Sequence, residues 1–239
     1  MNKTKIIIMM ILLLHCALFS YAEEASYDDS FDISILLKDE LADNEISIKN
    51  GHFTISGEKD RISAEGNVKN SKKDGEWKIY YTDSDEKVLK SKGTYNSDIK
   101  NGQWVTFHRN GKTWMKMTFR KGVLNGPLYE YSMEGVPVSE IMYSNNMKNG
   151  VYRKYFPDGN PKEISMYKKD QKDGIQNLYY PNGKRISIGT YKNGIKNGLW
   201  KYYYETGKRK AEGNFKNNEK SGKWKIYDEN EKIVDTESY

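Results

Sequence analysis

From residue 46 to the end, short runs rich in Tyr, Trp, Phe, Ile and Met alternate with polar clusters of Asn, Asp, Lys and Gly. Written in rows of 24, these runs superimpose. Successive glycines fall 24 residues apart in Gly102-Gln-Trp104, Gly126-Pro-Leu128, Gly150-Val-Tyr152, Gly174-Ile-Gln176, Gly198-Leu-Trp200 and Gly222-Lys-Trp224. Gly75-Glu-Trp77 lies 27 before Gly102, with three extra residues within 82–87, and Gly51-His-Phe53 lies 24 before Gly75, which makes eight units. Five positions after the glycine, from Gly75 onward, stands an aromatic ring: Tyr80, Phe107, Tyr131, Tyr155, Tyr179, Tyr203 and Tyr227. Nine positions after it comes a second glycine in most units, as in Asn110-Gly111, Asp158-Gly159 and Asn182-Gly183. Seventeen positions after it an aromatic residue returns as Phe119, Tyr143, Tyr167, Tyr191, Phe215 and Tyr239, with Tyr95 in the unit that carries the insertion and Val68 in the first.

Asn-Gly and Asp-Gly pairs between short aromatic runs predict a β-hairpin in every unit, because they supply the positive φ angles of tight turns. The insertion at 82–87 falls at such a turn, where extra length costs little loop entropy. A second turn is expected to close each unit at Lys49-Asn50-Gly51, Lys73-Asp74-Gly75, Lys100-Asn101-Gly102 or Lys196-Asn197-Gly198. The predicted fold is therefore all-β, an elongated antiparallel meander of about eight stacked hairpins over 46–239. A lone hairpin is marginal in water, so the units must stack edge to edge and bury their aromatic rows. Sixteen strands at ~4.8 Å would extend about 75 Å, with exposed edges at both ends.

Upstream of the array, residues 23–45 carry nine acids against Lys38. In this acidic leader Ile33, Leu36, Leu37 and Leu41 recur at helical spacing behind Ser30 or Asp32, which predicts a short capping helix over 32–42. Residues 1–22 read as a secretory signal peptide: Lys3 and Lys5, an apolar run from Ile6 to Phe19, then Ser20-Tyr21-Ala22. A lipoprotein signal using Cys16 and an uncleaved anchor are the alternatives, although His15 poorly suits the first and the run is short of the ~20 apolar residues of a span. Export is the expected localisation, as a periplasmic, cell-surface or secreted protein. Cleavage would remove the single cysteine, and with it any disulfide, thiol nucleophile or cysteine metal site.

Composition refines this picture. Apolar content of 36% is low for a thick core, whereas 19 tyrosines and five tryptophans argue against disorder. The array is basic against its acidic leader, within a formal net charge of +6 for the whole chain.

The pattern Asn182-Gly183-Lys184, Gly189-Thr190-Tyr191, Asn193-Gly194 and Gly198-Leu199-Trp200 resembles the MORN repeats, and more closely the bacterial variant of YwqK-type antitoxin or immunity proteins. The resemblance covers 44–239; Leu128, Tyr152 and Gln176 depart from it at the tryptophan position, as does Glu229-Asn230-Glu231 at the last hairpin turn. It implies a groove-like sheet used for protein or membrane contacts, with no catalytic residues to carry over.

No catalytic constellation emerges from the residues. His52 and His108 lie in different units, short of the three or four ligands of a zinc site, and Asp83-Ser-Asp85 lacks the glycine of a calcium loop. No phosphate-binding glycine loop precedes a helix, and no cofactor or metal is expected. Two repeated features remain. Trp77, Trp104, Trp200 and Trp224, with Tyr155, Tyr179, Tyr203 and Tyr227, are expected to form structural aromatic rows, the alternative being a platform for a sugar or a partner. Lys49, Lys73, Lys100, Lys148, Lys172, Lys196 and Lys220, with Leu124 as the exception, are expected in exposed turns about 10 Å apart as a basic edge. The sequence thus points to an exported, non-enzymatic interaction scaffold, with a protein partner, in the immunity-like case a toxin, ahead of an anionic lipid or wall polymer. Nucleic acid is not an expected partner.

Overall fold

The computed structural model describes residues 41, 45–56, 62–82 and 86–239, all within a unit spanning Asp39–Tyr239. The expected signal peptide over 1–22, the expected leader helix over 32–42 apart from Leu41, and Asp83-Ser-Asp85 lie outside the described residues. In chain order the strands are β1 (Asn50–Ser56), β2 (Ile62–Lys69), β3 (Lys72–Tyr80), β4 (Leu89–Asn96), β5 (Ile99–Phe107) and β6 (Thr113–Arg120). They continue as β7 (Val123–Tyr131), β8 (Pro137–Ser144), β9 (Met147–Tyr155), β10 (Pro161–Lys168), β11 (Gln171–Tyr179) and β12 (Arg185–Lys192). The last are β13 (Ile195–Lys196), β14 (Gly198–Tyr203), β15 (Arg209–Lys216), β16 (Glu219–Tyr227) and β17 (Ile233–Ser238).

Each strand pairs antiparallel with its sequence neighbours, so the register is that of a continuous meander. β13 and β14 are one strand interrupted at Asn197, since β12 pairs with both. This reproduces the expected hairpin array among the described residues.

The turns differ from the expectation in one respect. The wider hairpin loops do sit at the Asn-Gly and Asp-Gly pairs, where Gly111 N–H donates to His108 O (2.9 Å) and Gly183 N–H to Tyr180 O (2.9 Å). The closing turns, however, are not at Lys-Asn-Gly. They are two-residue turns a few positions earlier, with positive φ at both residues, as in Asn145 (52°) and Asn146 (65°), or Asn217 (55°) and Asn218 (70°). That is the type I′ geometry that matches the twist of the flanking strands. Lys73-Asp74-Gly75 and Lys100-Asn101-Gly102 lie inside β3 and β5.

There the glycine makes a bulge. Between the pairs Gly66↔Trp77 and Val68↔Lys73 a single residue of β2 faces three of β3, and Gly75 sits at φ 87°. A residue with a Cβ is strained at that angle. The bulge shifts the following tryptophan back along the sheet until its indole lies over a glycine of the preceding strand. A Cβ on Gly66, Gly93, Gly189 or Gly213 would stand 2.4, 2.2, 2.0 and 2.2 Å from the indoles of Trp77, Trp104, Trp200 and Trp224 respectively. Each indole N–H donates to the carbonyl just past that glycine: Trp77 to Asn67 (2.8 Å), Trp104 to Thr94 (3.1 Å), Trp200 to Thr190 (3.3 Å) and Trp224 to Asn214 (3.0 Å). All four tryptophans are buried.

Where the tryptophan is missing, its glycine is missing too. Leu128 pairs with Met117, Tyr152 with Ile141 and Gln176 with Ser165, so each smaller side chain faces a larger partner than glycine. The departures therefore keep a cross-strand contact at each place with other side chains.

Candidate functional site

The pleat gives the sheet two chemically distinct faces. One carries the tryptophan ladder, continued across the strands by cross-strand pairs such as Trp104↔Met117, Leu128↔Ile141, Tyr152↔Ser165 and Trp200↔Gly213. Beside it runs the second ring row, which meets the indoles edge to face. Centroid distances are 5.1 Å for Tyr95 and Trp104, 5.3 Å for Tyr191 and Trp200, and 5.2 Å for Phe215 and Trp224. Trp77, Trp104, Trp200 and Trp224 thus form a structural row. Tyr155, Tyr179, Tyr203 and Tyr227 form another on the opposite face, because each lies an odd number of strand positions from its ladder residue.

Lys49 stays exposed at a bend before β1, but the other lysines expected on exposed turns belong to the tryptophan face instead. From Lys100 on, each pairs across the strand with one ring, as in Tyr95↔Lys100, Tyr167↔Lys172 and Phe215↔Lys220, and holds its ammonium over a ring. Lys100 Nζ is 4.9 Å from the Trp104 ring and 5.6 Å from Phe119, and Lys148 is 5.4 Å from Tyr167. Lys172 is 5.5 Å from Tyr191, Lys196 5.0 Å from Trp200 and 5.1 Å from Phe215, and Lys220 4.9 Å from Trp224. Leu124, the exception in the row, is fully buried at the equivalent place.

The backbone explains this placement. The turn of the next unit binds the lysine from both sides: Asp170 N–H donates to Lys148 O (3.0 Å) while Asp170 Oδ1 accepts from Lys148 N–H (2.7 Å). Asn218 does the same for Lys196. Lys73 is itself buried, and its ammonium donates to Leu41 O (3.2 Å).

One unit breaks the ladder with charge. Glu163 Oε1 accepts from Gln176 Nε2 (2.8 Å) and from Ser165 Oγ, and pairs with Lys172 Nζ (3.0 Å). Burial opposes ionisation of Glu163, but Lys172 and the Ser165 and Gln176 hydrogen bonds outweigh it and hold the carboxyl below its ordinary range. Burial likewise pushes the Tyr143 and Tyr191 phenols up to about 12.

The opposite face is the accessible one. His52 lies there in β1, and His108 takes part in a hairpin loop with its Nε2 2.9 Å from Tyr131 O. Among the described residues no group of three or more His, Cys, Asp or Glu is placed to hold a metal. In the middle of the array this face carries an apolar stripe of Pro127, Met142, Val151, Met166, Ile175 and Leu199, tied by the pairs Pro127↔Met142 and Val151↔Met166. Ile175 is 52% and Leu199 49% exposed. A second row alongside adds Tyr129, Ile164 and Ile188. The sequence reading missed the stripe because it does not recur through the repeat: the place of Ile175 and Leu199 is held by Glu76, Gln103 and Lys223 in other units. A basic edge exists as well, but on other residues: Arg120, Lys168, Lys192 and Lys216, all exposed beside the two-residue turns.

Four units match the MORN repeat variant. The matched windows are residues 100–121, 148–169, 172–193 and 196–217. Each begins at a ring-covering lysine and ends on the first residue of a two-residue turn, so the MORN unit coincides with one bulged strand, its hairpin loop and the returning strand. No curated protein matches the chain.

Proposed function

We propose that this protein is an exported, non-enzymatic MORN-like scaffold that holds a protein partner on the face opposite its tryptophan ladder. The apolar stripe from Pro127 to Leu199 carries this reading, because an exposed row of Met, Ile, Leu and Val beside Tyr129 is a surface for a partner to cover. The ladder face is already filled by its own indoles and lysines. An immunity-like role, with a toxin as the partner, is the narrowest form of this proposal and rests on the sequence resemblance. Binding to an anionic surface is the second reading, favoured by the exposed cations Arg120, Lys168, Lys192 and Lys216.

Two variants separate the readings. Ile175→Asp with Leu199→Asp interrupts the stripe, and Lys168→Gln, Lys192→Gln and Lys216→Gln neutralise the edge. A protein captured from the source cell's extract by wild type in near-equal amount, retained by the triple variant and lost by the double variant, supports the proposal. Sedimentation of wild type with phosphatidylserine vesicles at low salt, abolished by the triple variant alone, supports the anionic surface and overturns it.

A further inference from the structure

We infer that Arg185 is an anchor on this face that takes a carboxylate from the docked partner, so that the partner segment carries an acidic side chain flanked by apolar ones. This rests on the protein-docking reading above and deepens it.

The observation is a cation without its counter-ion. Arg185 opens β12 opposite Tyr179, with its guanidinium 6.0 Å from the centre of the Tyr203 ring. Its Nε is buried and has no hydrogen-bond partner among the described residues. The equivalent residue one unit later, Arg209, shows what is missing. Arg209 lies over Tyr227 (4.9 Å), with Nη1 3.8 Å from Glu212 and Nε 3.5 Å from Glu231. Twenty-four residues before Glu212 and Glu231 stand Ile188 and Gly207, so both carboxylates are absent at Arg185. Ile188 occupies the same row as Glu212 in the cross-strand register.

The carboxylates nearest in register make no ion pair with Arg185 among the described residues: Glu212 accepts from Tyr227 Oη (2.7 Å), and Glu205 lies in a loop, where its carbonyl accepts from Asn182 Nδ2 (3.0 Å). A buried donor left unpaired is costly unless a ligand completes it. A guanidinium presents a planar fork that fits a carboxylate, and Arg185 stands one side-chain row from Ile188, which itself flanks the apolar stripe. Half-buried arginine beside tyrosine and aliphatic side chains is the composition of an interface hot spot. An acidic, apolar segment satisfies the charge and the stripe together; an anionic lipid surface would have drawn on the exposed lysines and had no need of a half-buried guanidinium beside apolar side chains.

The test uses the full chain and two capped probe peptides, Leu-Ser-Leu-Glu-Leu-Ser-Leu and its counterpart with Gln in place of Glu. NMR follows the Arg185 Nε–Hε resonance and the methyl groups of Met166, Ile175, Ile188 and Leu199. The Glu peptide is expected to move all of them and to bind wild type at least about tenfold more tightly than Arg185→Gln, while the Gln peptide binds both proteins alike. Arg185→Gln should also keep or raise the melting temperature, whereas Arg209→Gln lowers it. Equal binding of the two peptides to wild type overturns the carboxylate anchor while leaving the apolar docking face in place. Methyl groups unmoved by either peptide overturn the docking face itself. A melting temperature lowered as much by Arg185→Gln as by Arg209→Gln shows a structural arginine and overturns the inference.

Discussion

At the scale of the residue, the decisive contact is an indole resting on a glycine. Adding one methyl to Gly213 would bring a carbon 2.2 Å from the Trp224 ring, well inside contact distance. Overpacking of a rigid core costs about 1–3 kcal/mol or more. Gly213→Ala is therefore expected to lower the melting temperature clearly, and Trp224→Leu in the same chain should recover part of the loss, since Met117 and Leu128 already form such a pair in register. Removing the ring altogether, as in Trp200→Ala, leaves a cavity worth about 3–5 kcal/mol. Thermal melts of the single and double variants check this, and a double variant no better than Gly213→Ala would contradict the pairing. Glu163 supplies a pH signature at the same scale. Its folded-state pKa lies below the ordinary value of 4.5, so its contribution is complete above that value and is lost as pH falls beneath it. Glu163→Gln should flatten the acid limb of the stability profile below pH 4.5, measured by urea titration at several pH values.

At the scale of the element, the unit is a bulged strand, a hairpin loop, a returning strand and a type I′ turn that clamps the preceding lysine. Those lysines hold the sheet together from within. Each ammonium over a ring contributes about 0.5–1 kcal/mol, more where it is desolvated, and its methylene stem covers indole surface. Lys148→Gln, Lys172→Gln and Lys196→Gln combined should therefore cost about 2–3 kcal/mol of stability. A triple variant with an unchanged melting temperature would show that the row is merely decorative. The same geometry bears on binding, because these lysines are spent on their own rings and the accessible cations are those beside the turns.

At the scale of the whole molecule, every unit depends on its neighbours, because the loops also reach forward. Tyr81 Oη donates to Phe107 O (2.9 Å), Tyr180 Oη to Tyr203 O (3.1 Å) and Tyr204 Oη to Tyr227 O (2.7 Å). Such arrays gain stability from nearest-neighbour interfaces, and their end units are the most vulnerable. Leu41, buried and joined through its carbonyl to Lys73, attaches the chain preceding the array to the first described units. Leu41→Ser should raise amide hydrogen exchange in β1 to β3 more than in β9 to β11. Uniform exchange throughout the array would remove the case for a cap at this end.

The hairpins, their number and their order were legible in the chain, because a 24-residue period in glycine and aromatic positions can be satisfied only by identical stacked units. The wide loops were legible too, since Asn-Gly and Asp-Gly favour positive φ locally. The two-residue turns were not: Lys169-Asp170 adopts φ 50° and 66° without any glycine, and it does so because the neighbouring unit's strand accepts and donates at Asp170. The same limit misplaced the lysines. Lys-Asn-Gly has the local chemistry of a turn, yet in the sheet its glycine relaxes into a bulge, which turns the lysine inward onto rings 19 residues further along. One signal was available and went unread, namely that glycine stands eleven residues before each ladder tryptophan and nowhere before Leu128, Tyr152 or Gln176. Which face remains open is a different kind of fact. Parity along a strand assigns residues to alternating sides, and the two extra residues of each bulge leave it unchanged, so Lys73 and Trp77 share a face; only the assembled register decides which side is covered, leaving Ile175 and Leu199 exposed and Arg185 Nε without a partner among the described residues.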